Sequence, residues 1–198
     1  MNDALRQELL AMQAEDIRVR AELLDEGTLG DGYHPRMREV HERNAARLKE
    51  IIGQNGWPGA SLVGRDGSHA AWRVVQHAIS DPDFQRSCVT PIEKAIDAGE
   101  APLAQLAFVV DRIRFFEGRP QIYGTQFDWD ENGVMNPWPI EDADHVDERR
   151  AKAGLNTIAE RTREIREQCT REGDAGPTNR EEAKCKFEVW LREVGWRK

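Results

Sequence analysis

Apolar residues recur at helical spacing through most of this chain. Leu5, Leu9, Met12, Ile17, Val19 and Leu23 mark a helix over residues 3–25, and the glycine-rich GTLGDG at 27–32 breaks it. Val40, Ala45, Leu48, Ile51 and Ile52 form the stripe of a second helix, from about Pro35 to Ile52, ended by the segment from Gly53 to Gly59. The glycine and proline content of NGWPGASLVGRDG at 55–67 reads as a loop, with Asp66 or Ser68 as N-cap of a third helix over 69–80. SDPDF offers Ser80 or Asp81 as a cap, with Pro82 in the first turn of a fourth helix running to about Ala98. GEAP separates it from a fifth, Leu103 to Phe116, which GRP terminates.

The periodicity then changes. QIYGTQFDW and VMNPWPI flank DENG, which predicts a β-hairpin over 121–140, with Pro137 and Pro139 confining the second arm to an edge. Helical spacing returns over 142–153 and 155–171, separated by Gly154; EGDAGPTN is a linker, and Thr178 or Asn179 caps a last helix to about Val194. The expected fold is mainly α, a single helical domain over 1–172 with one small β-hairpin, followed by a linker and C-terminal helix at 173–198.

Composition narrows the function classes. With 198 residues, 32% of them charged and 39% hydrophobic, the chain can build one good core and carries no apolar run long enough for a membrane helix. Its N-terminal residues carry acids at helical spacing where an export signal needs a basic start and an apolar stretch, so the expectation is a cytoplasmic protein. A formal charge of -8 argues against nucleic acid as partner, since phosphate binding needs a positive face. Three widely separated cysteines, Cys88, Cys169 and Cys185, suggest free thiols and not a disulfide framework or a zinc knuckle.

Candidate chemistry concentrates in three stretches. On a helical wheel, Ala70, Ala71, Val74, Val75, Ala78 and Ile79 take one arc, and His69, Arg73, Gln76 and His77 the other. A plain solvent face would favour Lys and Glu; His, Gln and Arg titrate near neutrality or make directed hydrogen bonds, so this face reads either as solvent-exposed or as one wall of a polar pocket. PLAQLAFVVDRIRFFEG is apolar nearly all round, so Asp111 and Arg112 need partners, whether as an internal brace or with Asp111 orienting His77. On a strand, Gln121, Tyr123 and Thr125 would share a face, with Gln126 opposite, and could read a polar small molecule or simply satisfy an edge. His34 and His41 stand seven apart and His69 and His77 eight, so neither pair has the i, i+4 spacing of a helical zinc motif; no metal and no cofactor is expected.

Gly56-Trp57-Pro58, Val63-Gly64, Ala71-Trp72, Gln76-His77-Ala78, Asp111-Arg112, Gln121, Tyr123-Gly124-Thr125-Gln126, Arg149-Arg150 and Gly154-Leu155, in that order, resemble a bacterial domain family of unknown function over about residues 10–168. The resemblance implies no reaction. It departs at Ile79, where the family tends to carry an acid, and the tail from Gly173 lies outside it. Two functions fit these observations. One is a small-molecule enzyme with a His-centred, metal-independent pocket: His77 as acid or base, Asp111 orienting it, Arg112 or Arg73 holding an anionic group, and His69, Gln76, Gln121, Tyr123, Thr125 and Gln126 binding the ligand. The other is a non-catalytic ligand-binding or interaction module in which these residues brace the fold and the C-terminal helix meets a protein partner.

Overall fold

A computed structural model of the chain describes residues 1–28 and 32–198. Residues 29–31, within the GTLGDG break, lie outside the described residues. The structure is 67% helical, with eight α-helices and a single two-stranded antiparallel hairpin among the described residues, so the chain is mainly α as its periodicity predicts. In order, the elements are α1 (Asp3–Asp25), α2 (Pro35–Asn55), α3 (Ala60–His77), α4 (Pro82–Asp97), α5 (Leu103–Phe116), β1 (Phe127–Trp129), β2 (Met135–Pro137), α6 (Val146–Lys152), α7 (Ile158–Glu172) and α8 (Arg180–Glu193). They group into two compact units, 1–105 and 106–198, with α5 running from the first into the second and α8 inside the second.

Local chemistry sets the helix boundaries. Asn2 accepts from Leu5 N, Asp81 from Phe84 N ahead of Pro82, and Asn179 from Glu182 N, each satisfying an amide that the first turn leaves without an intrahelical partner. Thr157 and Glu160 form a reciprocal capping box at the start of α7.

In the first unit α1 packs most extensively on α3, and both touch α2. The buried positions of α1 are Leu5, Leu9, Asp16, Val19 and Leu23, and those of α2 include Met37, Val40, His41, Asn44, Leu48 and Ile51. These are bundle registers, with steps of three and four residues that keep one stripe facing the neighbouring helices. The stripe expected for α1 included Ile17, which is exposed; the carboxylate beside it, Asp16, takes the buried place.

The third helix starts earlier than expected. Residues 60–63 already form a helical turn, Gly64 breaks it at φ 74°, ψ 165°, and the helix resumes through His77. The turn can form inside a glycine-rich stretch because its open amides find acceptors on Glu100: Ala60 N donates to the backbone oxygen and Ser61 N to the carboxylate. Asp66, expected as the N-cap, instead forms a two-point ion pair with Arg6 of α1, at 2.9 and 2.5 Å. A positive φ at Gly64 is a conformation that side chains with a Cβ rarely adopt.

In the second unit the hairpin is short, pairing Phe127 with Pro137, Asp128 with Asn136 and Trp129 with Met135. Asp130 shapes its turn by accepting from Asn132 N and Val134 N. Residues 121–126, expected as strand, are instead an irregular loop tied down by side chains, apart from a single bridge between Gln121 and Ile140. The aromatic residues of α8 and the C-terminus pack on the end of α5: Phe116 lies 5.0 Å from Trp196 and 5.9 Å from Trp190, centroid to centroid, and Leu191 is fully buried. Cys88 is buried, which pushes its thiol up to about 12 and leaves it unreactive near neutrality; Cys169 and Cys185 are also free.

Candidate functional site

The polar face of α3 meets a charge that sequence spacing did not single out. Asp16, 4% exposed, sits in the core register of α1 and accepts from three side chains. His77 Nδ1 donates to its Oδ2 at 2.6 Å, Arg73 Nε donates to the same oxygen at 3.2 Å, and His41 Nε2 from α2 donates to Oδ1 at 3.2 Å. The two imidazoles are tilted against each other with centroids 4.8 Å apart. His41 Nδ1 lies 2.8 Å from the Tyr33 hydroxyl, which completes a chain from phenol to imidazole to carboxylate to imidazole.

Electrostatics keep the carboxylate ionised. Burial alone would raise Asp16, but the hydrogen bonds it accepts from His41 and His77 outweigh it and hold the carboxyl far below the ordinary range. Burial pushes the Tyr33 phenol upward, so it stays protonated and can share its hydrogen with His41. The last turn of α3, which presents His77, is fixed from α4: the buried Gln85 Nε2 donates to the carbonyls of Val75 and Gln76 at 2.6 and 3.3 Å.

A cleft of about 500 Å³ opens beside this cluster, lined by Tyr33, His41, Ala45, Lys49, Ala78, Ser80 and Asp81 among others. Ion pairs between Lys49 and Asp81 and between Arg38 and Glu42 stand around it. A larger open groove of about 860 Å³ runs along α7, lined by Ile158, Thr162 and Arg166, but includes none of the site residues expected from sequence.

The predicted site residues belong to two units: His69, Arg73, Gln76 and His77 to the first, the others to the second. His77 and Arg73 join the Asp16 cluster. His69 is exposed and lies tilted against Trp72, centroids 5.0 Å apart, and Gln76 is buried. The carboxylate hydrogen-bonded to His77 Nδ1 is Asp16, where the sequence suggested Asp111.

Asp111 has a different set of partners in the second unit. Fully buried on α5, it accepts from Ile122 N at 2.7 Å, Tyr123 N at 3.1 Å, and Thr125 N and Oγ1 at 3.0 Å. Burial lifts its carboxyl above the ordinary range while these four donors pull the other way. Arg150, 2% exposed on α6, donates to the carbonyls of Tyr123 and Gly124 at 2.7 and 3.1 Å, and Arg149 donates to that of Ile122 at 2.9 Å. Gln121 spans the loop: its Nε2 donates to the carbonyls of Gln126 and Trp138, and its Oε1 accepts from Gln126 N. Gln126 Nε2 donates to Thr125 Oγ1. Arg112 is half-buried and its guanidinium is lowered to about 10 by that burial. One carboxylate thus gathers the loop's amides and two arginines gather its carbonyls, so Tyr123-Gly124-Thr125-Gln126 is held without a strand ladder.

Gly124 is the one loop residue that the backbone demands be glycine, with φ +69° and an added Cβ only 2.6 Å from Ile158 Cδ1 and 3.0 Å from Ile140 Cδ1. Gly124→Ala is expected to cost about 1–3 kcal/mol, since the left-handed conformation alone costs about 1–2 kcal/mol for a residue with a Cβ. Urea unfolding of the variant measures it.

The sequence reading missed Asp16, His41 and Tyr33. A signal for two of them was present: Asp16 continues the 5, 9, 12 steps of α1 and His41 continues from Met37 in α2, so each is a polar residue in an apolar register. Tyr33 carries no comparable pattern.

The fold and site thus define a helical protein with a carboxylate shared by two imidazoles in one unit and a carboxylate–arginine knot in the other. A family model matches residues 3–171, and the chain belongs to that family, a family of unknown function (DUF6624). No curated protein and no solved structure matches it.

Proposed function

We propose that the chain is a small-molecule enzyme whose reacting centre is the Asp16–His41–His77 cluster, with a polar ligand bound in the adjoining cleft. The observation that carries this reading is one buried carboxylate gripped by two imidazoles and a guanidinium next to an open 500 Å³ cleft. A buried ionised group with several directed donors is costly to build, and at Asp16, unlike Asp111, the group adjoins an open cleft, which favours a functional role over a brace. Tyr33 and His41 line the cleft and meet the ligand, Asp16 fixes both rings, and Arg73 balances its charge. The bracing reading has its own support in the second unit, where the bonds of Asp111, Gln121, Thr125 and Gln126 go to the loop itself.

The test is a thermal-shift screen of polar metabolites on the full chain. A binder is expected to raise the melting temperature of the wild type, and His77→Ala and Tyr33→Phe are expected to abolish that rise while circular dichroism shows the helices intact. Rises that survive both substitutions would place ligand binding elsewhere and end the proposal.

A further inference from the structure

We infer that Asp16, His41 and His77 form a binding site for a divalent transition-metal ion of the zinc class. The inference rests on the reading of this cluster as the reacting centre and names the ion that would work there. Three donor atoms, one from each of α1, α2 and α3, lie within 4.8 Å of one another. Ligands on a tetrahedral ion at about 2.1 Å stand about 3.4 Å apart, so an inward movement of at most about 1.4 Å brings the widest pair to that spacing. Two imidazoles and one carboxylate are a borderline donor set, suited to Zn²⁺, Co²⁺ or Fe²⁺ and poorly suited to Mg²⁺ or Ca²⁺, which prefer all-oxygen shells.

The surroundings match what such a site requires. A ligating imidazole usually gives its other N–H to an oxygen, and the Tyr33 hydroxyl already stands 2.8 Å from His41 Nδ1. Metal binding at His41 Nε2 and His77 Nδ1 requires both nitrogens without a proton: each ring's proton moves to its other nitrogen or, where that nitrogen already carries one, leaves to solvent, and Tyr33 turns from donor to acceptor toward His41 Nδ1. Arg73 contacts only Oδ2 of Asp16, leaving Oδ1 for the ion. Three protein donors leave at least one coordination position for water or substrate, the arrangement of a catalytic site more than a structural one. The i, i+4 rule does not detect this set because no two ligands share a helix.

The experiment titrates the full chain, stripped with EDTA and dialysed, with ZnCl₂ and CoCl₂ by calorimetry, following the Co²⁺ visible spectrum, with MgCl₂ as comparison. The expected result is one equivalent of Zn²⁺ or Co²⁺ per chain and no saturable Mg²⁺ binding, weakened at least about 100-fold in His77→Ala and about 10-fold in Tyr33→Phe, with His69→Ala unchanged. Should His77→Ala fail to fold, nitrogen chemical shifts of the wild-type imidazoles replace it: Zn²⁺ must move two histidines into the metal-bound range and leave three as they were. Absence of saturable binding, or binding that His77→Ala leaves intact, overturns the inference. A His77-dependent ligand shift that persists in chelated protein also overturns it while the enzyme reading stands; metal held by these residues with no responsive ligand upholds the site and sinks the enzyme reading.

Discussion

Asp111→Asn is expected to remove about 3–5 kcal/mol of folding stability, the range for leaving a buried polar network with an uncompensated member. The carboxylate is acceptor-only and faces four donors: the amides of Ile122, Tyr123 and Thr125 and the Thr125 hydroxyl. An amide side chain replaces one oxygen with an NH₂ group that points at N–H groups of the loop, and it leaves those donors without the acceptor they share. Denaturant unfolding measures the loss, and amide spectra should show the largest changes at residues 122–125. A loss below about 1 kcal/mol would show that the loop does not depend on this carboxylate. If the residue braces the loop, a ligand-induced shift carried by His77 persists in the variant wherever it remains folded.

The second large effect is at Asp16, where Asp16→Ala is expected to cost about 2–4 kcal/mol at neutral pH, because Arg73, His41 and His77 lose their common acceptor in the core of the first unit. The pH dependence carries a sign. The folded carboxyl lies far below the ordinary value of about 4, so in acid the unfolded chain takes up a proton before the folded one does. The stabilisation is therefore complete above about pH 4 and is lost progressively as pH falls below it. Wild type should show a steep acid limb in a plot of unfolding free energy against pH, and Asp16→Ala a flatter one over the same window. Parallel limbs would remove Asp16 as the group responsible.

Most of the fold is legible in the chain because its helices obey local rules. Pro82 after Asp81, the Thr157–Glu160 box and Asn179 mark starts that need no tertiary information, and the DENG turn marks the hairpin. The departures occur where distant groups decide. Residues 60–63 are helical because Glu100 accepts from their amides, and 121–126 are irregular because Asp111, Arg149 and Arg150 offer the loop better partners than a neighbouring strand would. The site followed the same division. His77 and Arg73 stood out by composition, and Asp111 stood out as a charge on an apolar helix, but which carboxylate faces which imidazole depends on helix packing. Periodicity can say that Asp16 falls on the inner stripe; it cannot say that His41 and His77 fall at the same height.

That common height has a mechanical side. Three helices meet at a single negative charge, so whatever draws the charge toward the cleft pulls on all three axes at once. Occupancy and rigidity are then two readings of one equilibrium: a molecule that grips the cluster stiffens the whole bundle, and a change that loosens the bundle weakens the grip.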